Sequence, residues 1–124
     1  MYGWIHECFK EMILLNYGEE IWNQILLSSS HLSTQLSSKI DLTDYLTDSI
    51  FIHLLSSTCH LLHLPESIIT EQYSEHFLSF LHGKGYQKLL QCLGSTLFEW
   101  LANVNQVHQH FYYLMPQMKP PNIW

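Results

Sequence analysis

Between Leu97 and Met115 the residues Leu97, Leu101, Val104, His108, Phe111 and Met115 step by four, three, four, three and four. That period is a helix period, so one face of a C-terminal helix is apolar along its length and His108 occupies its centre. An inward imidazole among Leu, Val, Phe and Met costs about 1–3 kcal/mol unless its ring nitrogens find partners. His110, two residues on, is turned about 200° round the helix and faces elsewhere. Four readings of His108 follow from spacing alone: a core histidine bonded to a backbone carbonyl, a metal ligand, a heme ligand or a catalytic group. Catalysis is the weakest, because the chain contains no GxSxG, no Gly-rich phosphate loop and no HExxH.

The rest of the chain is patterned in the same way. Apolar residues at Ile5, Cys8/Phe9, Met12 and Leu15 predict a helix over 2–15, broken at Asn16-Tyr17-Gly18. Glu19 and Glu20 then start a short helix with acids in its first turn, where they complement the dipole. Ser28 to Ser38, six of eleven residues serine, is expected to be a surface loop. A helix beginning near Asp44, with Asp41 or Thr43 as its cap, should run to Leu64 and stop at Pro65. Pro65-Glu66 opens the next, whose stripe is Ile69, Tyr73, Phe77 and Phe80 and whose end is marked by Gly83 and Gly85. A short helix over 86–93 follows, and Thr96 and Glu99 have the spacing of a capping box. Pro116, Pro120 and Pro121 end the last helix. No segment alternates as a strand does, so the expected class is all-α.

Composition narrows the partners. The chain is 47% hydrophobic and 13% charged over 124 residues, against roughly 25% charged in an average domain, which favours one buried core over a disordered chain. The net charge of −6 carries five lysines and no arginine, and the lysines are scattered. A nucleic-acid surface and a basic membrane-binding helix are therefore not expected. Three distant cysteines without a CxxC predict neither a disulfide framework nor a Cys-rich zinc site, and suit a reducing compartment. With no secretory signal and no run of 18 apolar residues, the expectation is a soluble, cytoplasmic protein. His53, His60 and His63 fall on one side of a single helix beside Cys59. They read either as a polar helix face or as half of a zinc site whose second pair of ligands is not identifiable.

Several fragments carry a resemblance. Met1-Tyr2-Gly3-Trp4-Ile5, Asn16-Tyr17-Gly18-Glu19-Glu20-Ile21-Trp22, Gly85-Tyr86 leading to Leu93-Gly94-Ser95, His108-Gln109-His110, and Met115-Pro116-Gln117-Met118-Lys119-Pro120-Pro121 occur in that order. Together they resemble the heme-nitric oxide/oxygen binding (H-NOX) domain at the N-terminus of soluble guanylate cyclase β subunits. The likeness covers residues 1–124. It implies a heme b whose iron is held by His108, with Ile5 and Phe9 covering the distal side, Phe77 packed on the pocket and Pro121 pressing on the porphyrin.

It also implies a function: nitric oxide binds the open position of the ferrous iron, the histidine helix is released, and an α-type subunit or cyclase domains convert GTP to cyclic GMP. The chain itself is then a sensor and not an enzyme. By the same resemblance it is the helical portion of an α+β H-NOX fold, C-terminally truncated. It lacks the antiparallel sheet and the Tyr-x-Ser-x-Arg motif that clamps the propionates, which a chain without arginine cannot supply. The alternative is a heme-free helical interaction or dimerisation module, in which His108 is a hydrogen-bonded core residue.

Overall fold

The computed structural model describes residues 2–28 and 45–119. Six helices are present among them: α1 (Gly3–Tyr17), α2 (Glu19–Leu27), α3 (Asp48–Leu62), α4 (Glu66–Gly83), α5 (Gln87–Cys92) and α6 (Leu97–Leu114). No β-strand occurs among the described residues, whose single antiparallel bridge pairs Tyr2 with Tyr45, the two rings meeting edge to face at 5.4 Å. The helical class read from the periodicity is thus the observed one. The serine-rich loop beyond Ser28, the proposed caps Asp41 and Thr43, and Pro120 and Pro121 lie outside the described residues.

The chain divides into two units, 1–78 and 79–124, with the boundary inside α4. In the first unit α1 and α2 form a hairpin hinged on Gly18, which closes one helix and opens the next. Its φ of 89° lies where a Cβ would be strained, and its N–H reaches the carbonyls of Ile13 and Leu14, both at 3.2 Å. Helix α2 packs in turn on α3. The core is Phe9, Met12, Ile13, Trp22, Ile25, Ile50, Leu54 and Ile69, all buried. Each such side chain contributes about 1.5–3 kcal/mol of transfer free energy. Only Asp48 in its first turn marks the start of α3 as a favourable charge, and Thr47 stands at its N-cap without a capping bond, its hydroxyl lying 3.0 Å from that of Ser49. The helix starts four residues later than the sequence suggested. It ends at His63, a left-handed residue with φ 53°, after which the Leu64 N–H returns to the Cys59 carbonyl at 3.2 Å.

In the second unit the end of α4, α5 and α6 share the buried residues Phe80, Leu93 and Val104. Helix α6 begins with the expected capping box: Thr96 Oγ1 accepts from the Glu99 N–H at 3.3 Å, and the Glu99 carboxylate accepts from the Thr96 N–H at 3.3 Å. Two side chains of α6 reach back to the end of α5. Trp100 Nε1 donates to the Leu90 carbonyl at 3.2 Å and Asn103 Nδ2 to the Leu93 carbonyl at 2.6 Å. The apolar stripe is only partly covered. Val104 is buried, while Leu101, His108, Phe111 and Met115 are half-buried and Leu97 is 74% exposed.

Candidate functional site

Helical spacing puts Ile5, Phe9 and His6 on neighbouring positions of α1, and Tyr73 and Phe77 one turn apart on α4. The fold of the first unit joins the two sets. Phe9 is completely buried and its ring lies 5.8 Å from Tyr73, whose ring in turn lies 6.0 Å from Phe77. The Tyr73 hydroxyl donates to the carbonyl oxygen of Ile5 at 3.4 Å. Three of the residues expected at a heme pocket, Ile5, Phe9 and Phe77, are therefore brought together through Tyr73.

Phe51 of α3 completes the group, edge to face with Phe9 at 5.5 Å and with Tyr73 at 5.7 Å. Neither Tyr73 nor Phe51 was read as a site residue. Tyr73 could have been found, since it stands four residues before Phe77 on the same stripe, whereas Phe51 carries no local signal and owes its place to the tertiary packing of α3.

Burial sets the chemistry of this cluster. The Cys8 thiol, 0% exposed, is pushed up to about 12 by burial, with Tyr73 as its hydrogen-bonding neighbour opposing that shift. The Tyr73 hydroxyl is raised as well, chiefly by desolvation. Both groups are neutral near pH 7, and so is the buried His6, whose ring loses basicity through desolvation. A low-dielectric, aromatic, uncharged environment results.

His108 stands in the second unit, on the half-buried side of α6, and its Nδ1 atom is closed off from solvent. The neighbouring Phe111 packs edge to face on Tyr86 at 5.6 Å, fixing the turn of helix that follows the histidine. His110 is exposed, as its position round the helix requires. Pro121 lies outside the described residues.

The second histidine cluster does not close. His53 is exposed and its ring lies 3.2 Å from the Ser49 carbonyl, while His63 caps α3 and stands 6.4 Å, ring to ring, from His60. Among the described residues no three His, Cys, Asp or Glu side chains are grouped to hold a metal ion. No helix among them is long and apolar enough to cross a membrane.

Comparison with known proteins relates the chain to one family. The haem-NO-binding family matches residues 2–124. The chain is similar to soluble guanylate cyclase gcy-35 of Caenorhabditis elegans, 27% identical over 87% of this chain and 15% of that protein. It is 31% identical to soluble guanylate cyclase gcy-37 of the same organism, over 87% of this chain and again 15% of the relative. A third, gcy-31, is 24% identical over the whole chain and 17% of its own length. The chain thus spans less than a fifth of the length of these relatives. With a match running from Tyr2 to its last residue, the chain belongs to the haem-NO-binding family.

Proposed function

We propose that this chain is the heme-based nitric oxide sensor domain of a soluble guanylate cyclase-like protein, with His108 as the axial ligand of a heme b iron. The observation that carries the reading is the half-buried His108 on α6, in a chain matched to the haem-NO-binding family along its length. The residues present suit such a group. The first unit holds an uncharged aromatic cluster, side-chain chemistry that suits a flat apolar cofactor.

Bound ferrous heme would supply an open coordination position for a diatomic gas. Within this chain His108 would hold the iron, Ile5, Phe9 and Phe77 would wall the ligand side, and Pro121 would bear on the porphyrin. Ile5, Phe9 and Phe77 carry no side-chain donor and the Tyr73 hydroxyl among them is directed to the Ile5 carbonyl, a wall that would favour NO over O2, which needs a hydrogen bond to its partial negative charge. Release of His108 on NO binding would free α6, and that movement would pass to an α-type subunit or to cyclase domains making cyclic GMP in the cytoplasm. The domain would sense without catalysing.

The exposed Leu97, Phe98, Tyr113 and Leu114 of α6 favour one other reading, a heme-free helical module docked on a partner. Visible spectra of the heme-reconstituted ferrous protein separate the two. A histidyl heme lost in His108→Gly and regained with imidazole supports the sensor. Absence of stoichiometric heme in the unmutated protein overturns it.

A further inference from the structure

Within the first unit His76 of α4 faces Glu11 of α1, and the site described above uses neither. His76 Nε2 stands 3.7 Å from Glu11 Oε2, beyond hydrogen-bond range. That nitrogen is closed off from solvent and has no hydrogen-bond partner. The side chains as a whole still reach water, 16% exposed for His76 and 41% for Glu11.

A neutral imidazole is poorly served by this arrangement. With its proton on Nδ1 the ring turns a lone pair toward a carboxylate, and with its proton on Nε2 it leaves a buried donor unused. Protonation reverses the balance. Imidazolium carries an N–H on both nitrogens and a positive charge, so Nε2 then aims a charged donor at the carboxylate. A partly exposed glutamate has the rotamer freedom to close the remaining gap of about 1 Å.

The surroundings offer Glu11 little else. Lys10 is the one lysine among the described residues of the unit, and it is turned about 100° round α1 from Glu11. Helices α2, α3 and α4 contain no lysine, and the α3 histidines His53 and His60 are exposed. Glu7, one turn before Glu11, and Glu75, beside His76, add negative charge. Cys8 of α1 feels the Glu11 charge and Tyr73 of α4 is its hydrogen-bonding neighbour, but burial keeps both neutral near pH 7. From α3 the side chain that reaches Tyr73 is the uncharged Phe51.

We infer that His76 and Glu11 form a proton-operated clip between α1 and α4, closed when His76 takes up a proton and open when it releases one. His76 follows Tyr73 by three residues, and the Tyr73 ring packs on Phe9 of α1 at 5.8 Å. The clip therefore acts on the same α1–α4 contact as the aromatic cluster, and that contact is firmer in mild acid than in alkali. Heme has no part in it.

A double-mutant cycle reads the clip. Urea unfolding of the unmutated protein, Glu11→Gln, His76→Gln and the double variant is compared at about pH 5.5 and about pH 8, on either side of the ordinary imidazole value. At the lower pH the pair should change the unfolding equilibrium constant about two- to fivefold, as partly exposed ion pairs do, and at the higher pH the coupling should vanish. Glu11→Lys, which sets two cations against each other, should destabilise more at the lower pH than at the higher.

Coupling of equal size at both pH values, or none at either, overturns the inference. So does a Glu11→Lys effect that does not grow as pH falls. Both side chains reach solvent and neither belongs to the core, and should the double variant fail to fold, the Glu11→Lys comparison decides alone.

Discussion

Asn103 on α6 donates from its side-chain amide to the carbonyl oxygen of Leu93, the residue that ends α5, at 2.6 Å. Leu93 is itself buried, so this bond satisfies a carbonyl on the closed side of the turn between the two helices. Asn103→Ala should lower stability by about 1–3 kcal/mol, the cost of leaving a buried acceptor without its donor. Urea unfolding followed by circular dichroism reads it, and a shift under a few tenths of a kcal/mol would show that the clasp is idle. Asn103 also lies five residues before His108, so in the heme-loaded protein the same variant should lose heme faster.

The tightest approach in the second unit is at Gly94. A Cβ built there would stand 2.5 Å from Glu99 Cβ and 2.8 Å from the Trp100 backbone nitrogen. Backbone cannot rotate out of the way as a side chain can, so Gly94→Ala should force the first turn of α6 outward at a cost of about 1–3 kcal/mol. A thermal midpoint unchanged within a degree would contradict this. Gly83→Ala is the control, since nothing lies within 4 Å of the added carbon.

Glu99 accepts from the Ser95 N–H at 2.9 Å, the Ser95 hydroxyl at 2.9 Å and the Thr96 N–H at 3.3 Å, and these bonds hold its carboxyl below the usual carboxylate range. The folded state therefore binds fewer protons than the unfolded one in that window. Stability from this group is complete above the unfolded value and is lost as pH falls through the lower folded one. Melting temperature measured from about pH 5 down to about pH 2 should show an acid limb that flattens in Glu99→Gln. An identical limb in the variant would assign it to other carboxylates.

The helices were legible because helix signals are local: a step of three and four, a proline, a capping box. Thr96 and Glu99 stand three apart and make the bonds that their spacing announced. The start of α3 was not legible, because Asp41, Thr43 and Thr47 all offer cap chemistry and only tertiary packing chooses among them. His108 was read as inward and is half-buried, since the stripe it belongs to is partly open. Least legible was the cluster around Tyr73. Its members Ile5, Phe9, Phe51 and Phe77 come from three helices, and no single-helix period links α1 to α3.

Cysteine reactivity should follow exposure. Cys92 is exposed, Cys59 is half-buried and Cys8 is fully buried. Iodoacetamide at neutral pH should label Cys92 first, Cys59 slowly and Cys8 only after unfolding. Mass spectrometry of a timed reaction gives the order, and early labelling of Cys8 would mean that α1 leaves its place readily.

Tyr73 offers a last test because its ring and its hydroxyl do separate things. The ring packs on Phe9, Phe51 and Phe77, while the hydroxyl reaches the Ile5 carbonyl at 3.4 Å, the long end of hydrogen-bond range. That carbonyl belongs to α1 and accepts within its helix as well, so losing the hydroxyl takes a partner only from the buried Cys8 thiol, a weak hydrogen-bonding group. Tyr73→Phe should therefore cost about 0.5–1 kcal/mol. Tyr73→Ala removes contacts on three sides and should cost about 3 kcal/mol, at the lower end for a large aromatic because Tyr73 is half-buried. Equal losses in the two variants would place the energy in the hydroxyl, and the cluster would then be held by a hydrogen bond and not by its rings.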